Sequence, residues 1–156
     1  MLSDITVTEA GPEEIDAIYA LAEELIRRYE DGSRVPLEEA LSWTRRKIEK
    51  KIREYRVIRC NGRKAGYYRF CRDDGGMELD DLYVLEPFRN RGIGTWVIRR
   101  CCESTPLPVS LCVFRENSGA VALYRRLGFA VKERIDENRY LMRREGHEEG
   151  KDENNG

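Results

Sequence analysis

Residues 82–98 constrain the fold more than any other part of this 156-residue chain. Leu82-Tyr83-Val84-Leu85 is an apolar run of the kind a buried strand makes. Pro87 ends it, because proline cannot donate to a sheet ladder. From Thr95 onward, Trp96, Val97, Ile98, Arg99 and Arg100 predict the first turns of a helix. Between the two lies Arg89-Asn90-Arg91-Gly92-Ile93-Gly94. The first turn of a helix carries backbone N–H groups without internal partners, and its dipole is positive there. Such an end attracts phosphate. Gly92 and Gly94 remove side chains, so a pyrophosphate can approach the backbone. Arg89 and Arg91 add charge, and a guanidinium fork suits phosphate oxygens. The predicted ligand is a pyrophosphate-bearing molecule over the start of this helix.

Two familiar phosphate loops do not fit. A Walker loop needs Gly, four residues and Gly-Lys-Ser/Thr. A dinucleotide fingerprint needs a third glycine at position 97, which is Val97. Arg-x-x-Gly-x-Gly after a strand ending in Tyr83-Val84 does fit, and it resembles the coenzyme A loop of the GNAT superfamily of acyl-CoA-dependent N-acyltransferases. A later segment, residues 111–129, agrees. There Asn117, Ala120, Leu123, Tyr124, Gly128 and Phe129 fall in register with that superfamily's Asn-x-x-Ala-x-x-Leu-Tyr-x-x-x-Gly-Phe. The two motifs stand in the right order with a helix and a strand between them. The resemblance covers roughly residues 55 to 135.

The resemblance implies an α/β (α+β) fold of the GNAT type, a mixed central sheet of about six to seven strands flanked by about four helices. The length suits one domain, expected over residues 1–145, and residues 146–156 are polar and are expected to form a disordered tail. The resemblance implies acetyl-CoA as cosubstrate, with no metal. Its contacts fall on Leu82, Tyr83, Val84, Arg89, Asn90, Arg91, Gly92, Ile93, Gly94, Thr95, Asn117, Ala120 and Tyr124. Asn117 is also a favoured helix cap, and the two roles are compatible.

Pattern alone gives the same element order. Residues 5–10 read as a strand. Gly11-Pro12-Glu13-Glu14 starts a helix, with proline at its first position, and Ile15, Ile18, Ala22, Leu25, Ile26 and Tyr29 recur at helical spacing. Pro36 opens a second helix faced by Leu37, Leu41, Thr44, Ile48 and Ile52. Tyr55–Cys60 and 64–72 form a hairpin around Asn61-Gly62, a strong hairpin turn. A third strand, 77–85, runs into the glycine loop. A helix to Glu103, a strand over 109–114, a helix over 117–127 and strands over 129–135 and 139–143 complete the chain. Arg45, Arg46, Lys47, Lys50, Lys51, Arg53, Arg56, Arg59, Arg63 and Lys64 cluster on and beyond the second helix. Glu49 and Glu54 interrupt them and no aromatic residues interleave for base stacking, so the cluster reads as a solvated face.

Bulk properties exclude several classes of function. The net charge of −1, from 28 basic and 29 acidic residues, gives no global field for nucleic acid. No apolar run approaches the ~20 residues of a membrane span, and the N-terminus does not read as a secretory signal. Five cysteines without a Cys-x-x-Cys, mostly in apolar segments, suggest reduced, buried thiols in a cytoplasmic protein. The single histidine, His147, falls in the polar tail. That removes Ser-His-Asp and Cys-His catalysis and a histidine-containing metal site.

An acyl transfer to an amine needs an acceptor for the amine's proton, donors for the tetrahedral oxyanion and an acid near the sulfur. By resemblance, Tyr124 is the acid. A phenol can protonate or hydrogen-bond a thiolate. Strand alternation puts Glu78, Asp80, Leu82 and Val84 on one face and Leu79, Asp81 and Tyr83 on the other. By resemblance Asp80 is the first candidate base and Glu78 the second, with loss of the proton to water a third route. A bulge would shift the facing and promote Asp81. Oxyanion donors, again by resemblance, are backbone N–H groups near Tyr83 or Val84. Leu-Asp-Asp-Leu-Tyr-Val looks most like members that acetylate small amines such as polyamines or aminoglycosides. Phe-Arg-Glu-Asn looks somewhat like members that modify protein N-termini, and protein lysines fall in the same alternative. A non-catalytic acyl-CoA-binding sensor is a reading of another class. Homodimers are common in the family. Neither nucleic acid nor membrane is expected as a partner.

Overall fold

A computed structural model describes residues 4–147. Seven strands and four α-helices follow one another in the order expected: β1 (Ile5–Glu9), α1 (Ile15–Tyr29), α2 (Leu37–Lys51), β2 (Tyr55–Cys60), β3 (Arg63–Asp73), β4 (Gly76–Val84), α3 (Ile93–Glu103), β5 (Val109–Phe114), α4 (Ser118–Arg126), β6 (Ala130–Arg134) and β7 (Arg139–Arg144). The strands make one sheet of order β1-β2-β3-β4-β5-β7-β6. It is mixed: β4 runs parallel to β5, and the β1–β2, β2–β3, β5–β7 and β6–β7 ladders are antiparallel.

The chain divides into two compact units. One holds the residues up to Arg69 with Asp81–Ile93, and the other holds Phe70–Asp80 with the residues from Gly94 on. In the first, α1 and α2 lay Ile18, Ala22 and Ile48 against Tyr55, Val57 and Tyr67 of the strands. Ile18, Ile48 and Tyr55 are fully buried, and each contributes about 2 kcal/mol of transfer free energy. In the second, Val97, Ile98 and Cys101 of α3, Val109 and Leu111 of β5 and Met142 of β7 are buried.

Local chemistry sets the joints. Asn61 and Gly62 take φ of 53° and 80°, the two left-handed residues that a tight hairpin turn requires. A 3-10 turn over Pro12–Glu14 precedes α1. A second, Glu86–Phe88, fills the space after β4, with Pro87 where its missing N–H costs nothing.

Several expectations are corrected. α3 begins at Ile93, two residues before Thr95, so Ile93 and Gly94 belong to the helix rather than to the loop before it. Cys112 is exposed and Cys71 half-buried, whereas Cys60, Cys101 and Cys102 are buried thiols. Cys112 lies on β5 between buried Leu111 and Val113, so alternation turns it outward. Gly146 and His147, assigned to a disordered tail, are anchored: the His147 N–H donates to the Pro106 carbonyl at 2.9 Å. The rest of that segment, 148–156, lies outside the described residues. The basic cluster is not solvated throughout. Lys47 pairs with Asp81, and Lys64 with the buried Glu14.

Candidate active site

β4 carries three carboxylates, and its backbone separates them. Asp81 has φ of 51°, a left-handed residue inside a strand. Such a residue kinks the strand locally, as a bulge does, while the Tyr83–Asp81 hydrogen bond keeps these two on one side. The conformation costs a non-glycine residue of order 1 kcal/mol, and aspartate is among the residues that tolerate it best. Its side chain is held by three donors of the same unit. The Tyr55 hydroxyl donates to Oδ2 at 2.5 Å, the Tyr83 hydroxyl to Oδ1 at 3.0 Å, and Lys47 Nζ stands 2.9 Å from Oδ2. The Asp81 side chain is only 11% exposed. Asp81 is therefore a clamp on this left-handed step of the strand.

Glu78 and Asp80 precede this step, in the other unit. Glu78 stands opposite Ser110 on β5. The ladder between β4 and β5 consists of that pair and Met77↔Val109. Asp80 is half-buried, and its charge acts on the Tyr124 phenol.

The spacing of the second motif has a physical explanation at Tyr124. α4 starts at an Asn117 cap whose side chain accepts from the Ala120 N–H at 3.4 Å. It ends in a Schellman arrangement: the Gly128 N–H donates to the Arg125 carbonyl at 3.1 Å and the Phe129 N–H to the Tyr124 carbonyl at 3.0 Å. Gly128 takes φ of 94°, the left-handed position after a helix that glycine fills. The apolar contact that accompanies this motif is between Tyr124 and Phe129, with ring centroids 6.0 Å apart and planes tilted by 59°. Tyr, three residues, Gly, Phe is therefore a helix stop that fixes a tyrosine. Part of the Tyr124 surface meets solvent, yet protein surrounds the phenol. Burial, with the Asp80 charge second, pushes its pKa up to about 12. Tyr124 is an acid that stays protonated at neutral pH.

The loop before α3 divides its glycines by role. Asn90 and Gly92 have φ of 62° and 82°, so they make the turn. A Cβ built on Gly94 would meet only Leu123 Cδ2, at 3.8 Å, an ordinary contact. Among the described residues nothing demands glycine at 94, whereas close approach of a ligand to the helix start would. The loop therefore fits a pyrophosphate. Arg89 is exposed, but its Nε donates to the Val84 carbonyl at 2.8 Å, so it also ties the loop to the end of β4. Arg91 is exposed and lies over the Phe88 ring at 5.9 Å. Ile93 is buried, and Gly94 and Thr95 are half-buried in the first turn of α3. Leu82, Tyr83 and Val84 are half-buried at the end of β4.

Sequence reasoning missed Lys47 and Tyr55 as partners of Asp81. Ten cations fell on one stretch, and nothing local marked which would turn inward. It also missed the role of Glu14, placed only at the start of the first helix. Glu14 is 4% exposed, pairs with Lys64 and accepts from the Tyr67 hydroxyl at 2.8 Å. Burial alone would raise its pKa, but the Lys64 and Tyr67 bonds outweigh it and hold the carboxyl below its ordinary value. Among the described residues, no three His, Cys, Asp or Glu side chains gather into a group that could hold a metal, and no helix is long and apolar enough to cross a membrane.

Comparison with known proteins points one way. The family model for the acetyltransferase (GNAT) family matches residues 18–129. An uncharacterized N-acetyltransferase of Methanocaldococcus jannaschii is 42% identical over 60 residues, 36% of this chain and 26% of that protein. The match thus spans about a quarter of that relative's length. The PaiA N-acetyltransferase from Thermoplasma acidophilum, solved in complex with coenzyme A, superposes with a TM-score of 0.67 at 17% identity, over 92% of this chain and 99% of that one. Arabidopsis thaliana Naa50, solved with a bisubstrate analogue, superposes with a TM-score of 0.59 at 17% identity, over 91% and 99%.

Proposed function

The chain belongs to the acetyltransferase (GNAT) family, a family of acyltransferases, and on that premise we propose that it transfers an acetyl group from acetyl-CoA to the primary amine of a small molecule of polyamine or aminoglycoside type. The observation that carries this reading is Tyr124: a phenol fixed by its helix stop and kept protonated by burial and the Asp80 charge. A group held so cannot act as a base at neutral pH, but it can give a proton to a thiolate as that thiolate leaves.

In this reading the cosubstrate pyrophosphate lies on the loop Arg89–Gly94 and the first turn of α3 through Thr95, with Asn117 and Ala120 beside the pantetheine arm. Leu82, Tyr83 and Val84 flank the thioester, and backbone N–H groups near Tyr83 and Val84 receive the developing oxyanion. The neutral amine attacks the carbonyl carbon, the carbon–sulfur bond breaks, and Tyr124 protonates sulfur. The proton lost by the amine passes to Asp80, directly or through water, with Glu78 the second candidate. Carboxylates in mid-strand are disfavoured by propensity, and their presence supports an acceptor that carries further positive charge.

The test is thiol release from acetyl-CoA against a panel of spermidine, an aminoglycoside, a lysine peptide and a peptide with a free N-terminus. Release driven by the first two supports the small-amine acceptor, and release driven only by the peptides replaces it with a protein acceptor. A thermal shift by acetyl-CoA without release for any amine would mark a binding module instead.

A further inference from the structure

α3 and α4 each have two ends, and the loop and cap discussed above lie at their N-terminal ends. At the C-terminal ends there is a cavity of about 330 Å³. Its α3 wall runs from Ile98 to Glu103, and Glu103 lies about 14 Å along the helix from Gly94, at about 1.5 Å per residue. Arg126 and Leu127 contribute from the end of α4, and Arg144 from the end of β7. Three arginines, 99, 126 and 144, thus face one cavity with one carboxylate, Glu103.

These guanidinium groups have no structural employment. Among the described residues, none of the three makes an ion pair or a side-chain hydrogen bond. Some arginines elsewhere are paired, as Arg45 is with Asp16 and Glu49 and Arg139 with Asp136, and others, such as Arg28, Arg46 and Arg125, stand alone in solvent among the described residues; these three differ in lining one cavity. Nor are they needed as caps, because the last carbonyls of α4 already accept from the N–H groups of Leu127, Gly128 and Phe129. Arg144 is placed rather than splayed: a Cβ on Gly128 would stand 3.3 Å from its Nε. Arg99 and Arg126 are exposed and Arg144 is half-buried, and three like charges in one open concavity repel one another. An oxyanion would relieve that repulsion through paired N–H forks.

We propose that this cavity is a second anion-binding site, separate from the loop before α3. Its ligand is a small molecule with a doubly charged oxyanion, a phosphate or a pair of carboxylates, on a short apolar body that meets Ile98 and Leu127. The site does not depend on the acetyl-transfer reading.

The experiment is calorimetric titration of the full chain, at fixed ionic strength, with phenyl phosphate and with phthalate. Wild type and Arg89→Ala, which impairs only the other loop, should bind alike. Arg99→Gln or Arg144→Gln should each weaken binding at least tenfold, and R99Q/R144Q should abolish it while the melting curve stays unchanged. The ratio of the two affinities tells which oxyanion the site prefers. Undiminished binding in R99Q/R144Q, loss in Arg89→Ala, or no binding of either probe to wild type would overturn the proposal. So would an RNA oligonucleotide that binds through these arginines where the small anions fail.

Discussion

Replacing Asp81 separates two effects combined at one residue, a left-handed backbone and a carboxylate that holds three donors. The donors differ in weight. Tyr55 is fully buried, so losing this acceptor costs about 2 kcal/mol, the range for a hydrogen bond to a charged group. Tyr83 is half-buried and contributes about 1 kcal/mol. Lys47 is 32% exposed, and solvent reduces its pair to about 1 kcal/mol or less. Asp81→Ala should therefore destabilise by about 4 to 5 kcal/mol, of which about 1 is the poorer fit of alanine to φ of 51°. Asp81→Gly loses the same donors but fits the backbone, and should recover about 1 kcal/mol of that loss. Urea unfolding reads both, since with a slope of about 2 kcal/mol/M a loss of 3 kcal/mol moves the midpoint by about 1.5 M. Asp81→Gly within about 0.5 kcal/mol of wild type would refute the clamp. Equal midpoints for the alanine and glycine variants would refute the left-handed backbone.

Further outcomes follow from the same geometry. Gly94→Ala should fold as well as wild type, because its Cβ meets only Leu123 at 3.8 Å, and should weaken acetyl-CoA binding tenfold or more in a thermal-shift titration; unchanged affinity would remove the ligand-approach argument. Tyr124→Phe should lower kcat about a hundredfold with little change in KM, and because burial and Asp80 hold the phenol near 12, wild-type kcat should show no alkaline limb belonging to Tyr124 below about pH 11. Such a limb at pH 9 to 10 that disappears in Tyr124→Phe would contradict that environment. The folded-state pKa of Glu14 is lowered, so its contribution to stability is complete above its ordinary value of 4.5 and is lost as pH falls below it; stability of Glu14→Gln should vary less than wild type between pH 5 and 3, and parallel curves would sink the argument.

The element order was legible because the signals were local. Pro36 starts α2, Asn61-Gly62 turns a hairpin, Pro87 stops a strand, and Tyr, Gly and Phe mark the end of α4 at fixed offsets. What was not legible involved partners distant in sequence. Glu14 and Lys64 are fifty residues apart and Tyr55 and Asp81 twenty-six, and no periodicity connects them. α3 starts two residues before Thr95 and takes in Gly94, although glycine disfavours a helix by propensity. The structure keeps Gly94 there at that cost. Lying in an apolar segment does not tell which face a cysteine takes: β5 buries Val109, Leu111 and Val113 and turns Cys112 out.

The three carboxylates of β4 illustrate how one strand can hold chemically different acids. In sequence they differ only by position. In the fold, Glu78 stands in a regular ladder opposite Ser110. Asp81 is surrounded by a cation and two hydroxyl groups that stabilise its charge. Asp80 sits where its charge opposes ionisation of Tyr124. Strand alternation already turns Asp80 and Asp81 to opposite faces, and the Tyr83 hydroxyl donates to Asp81 on its own side. The left-handed step at Asp81 adds local strain that its three donors hold in place. A carboxylate beside a buried phenol can act in two ways, taking the amine's proton or keeping the phenol protonated for sulfur. These are distinguishable, because Asp80→Asn retains the shape and removes the charge. A proton-acceptor role makes the loss of rate greatest at low pH, where the amine is mostly protonated. A role in holding the Tyr124 proton makes it greatest at high pH, where the phenol would begin to ionise.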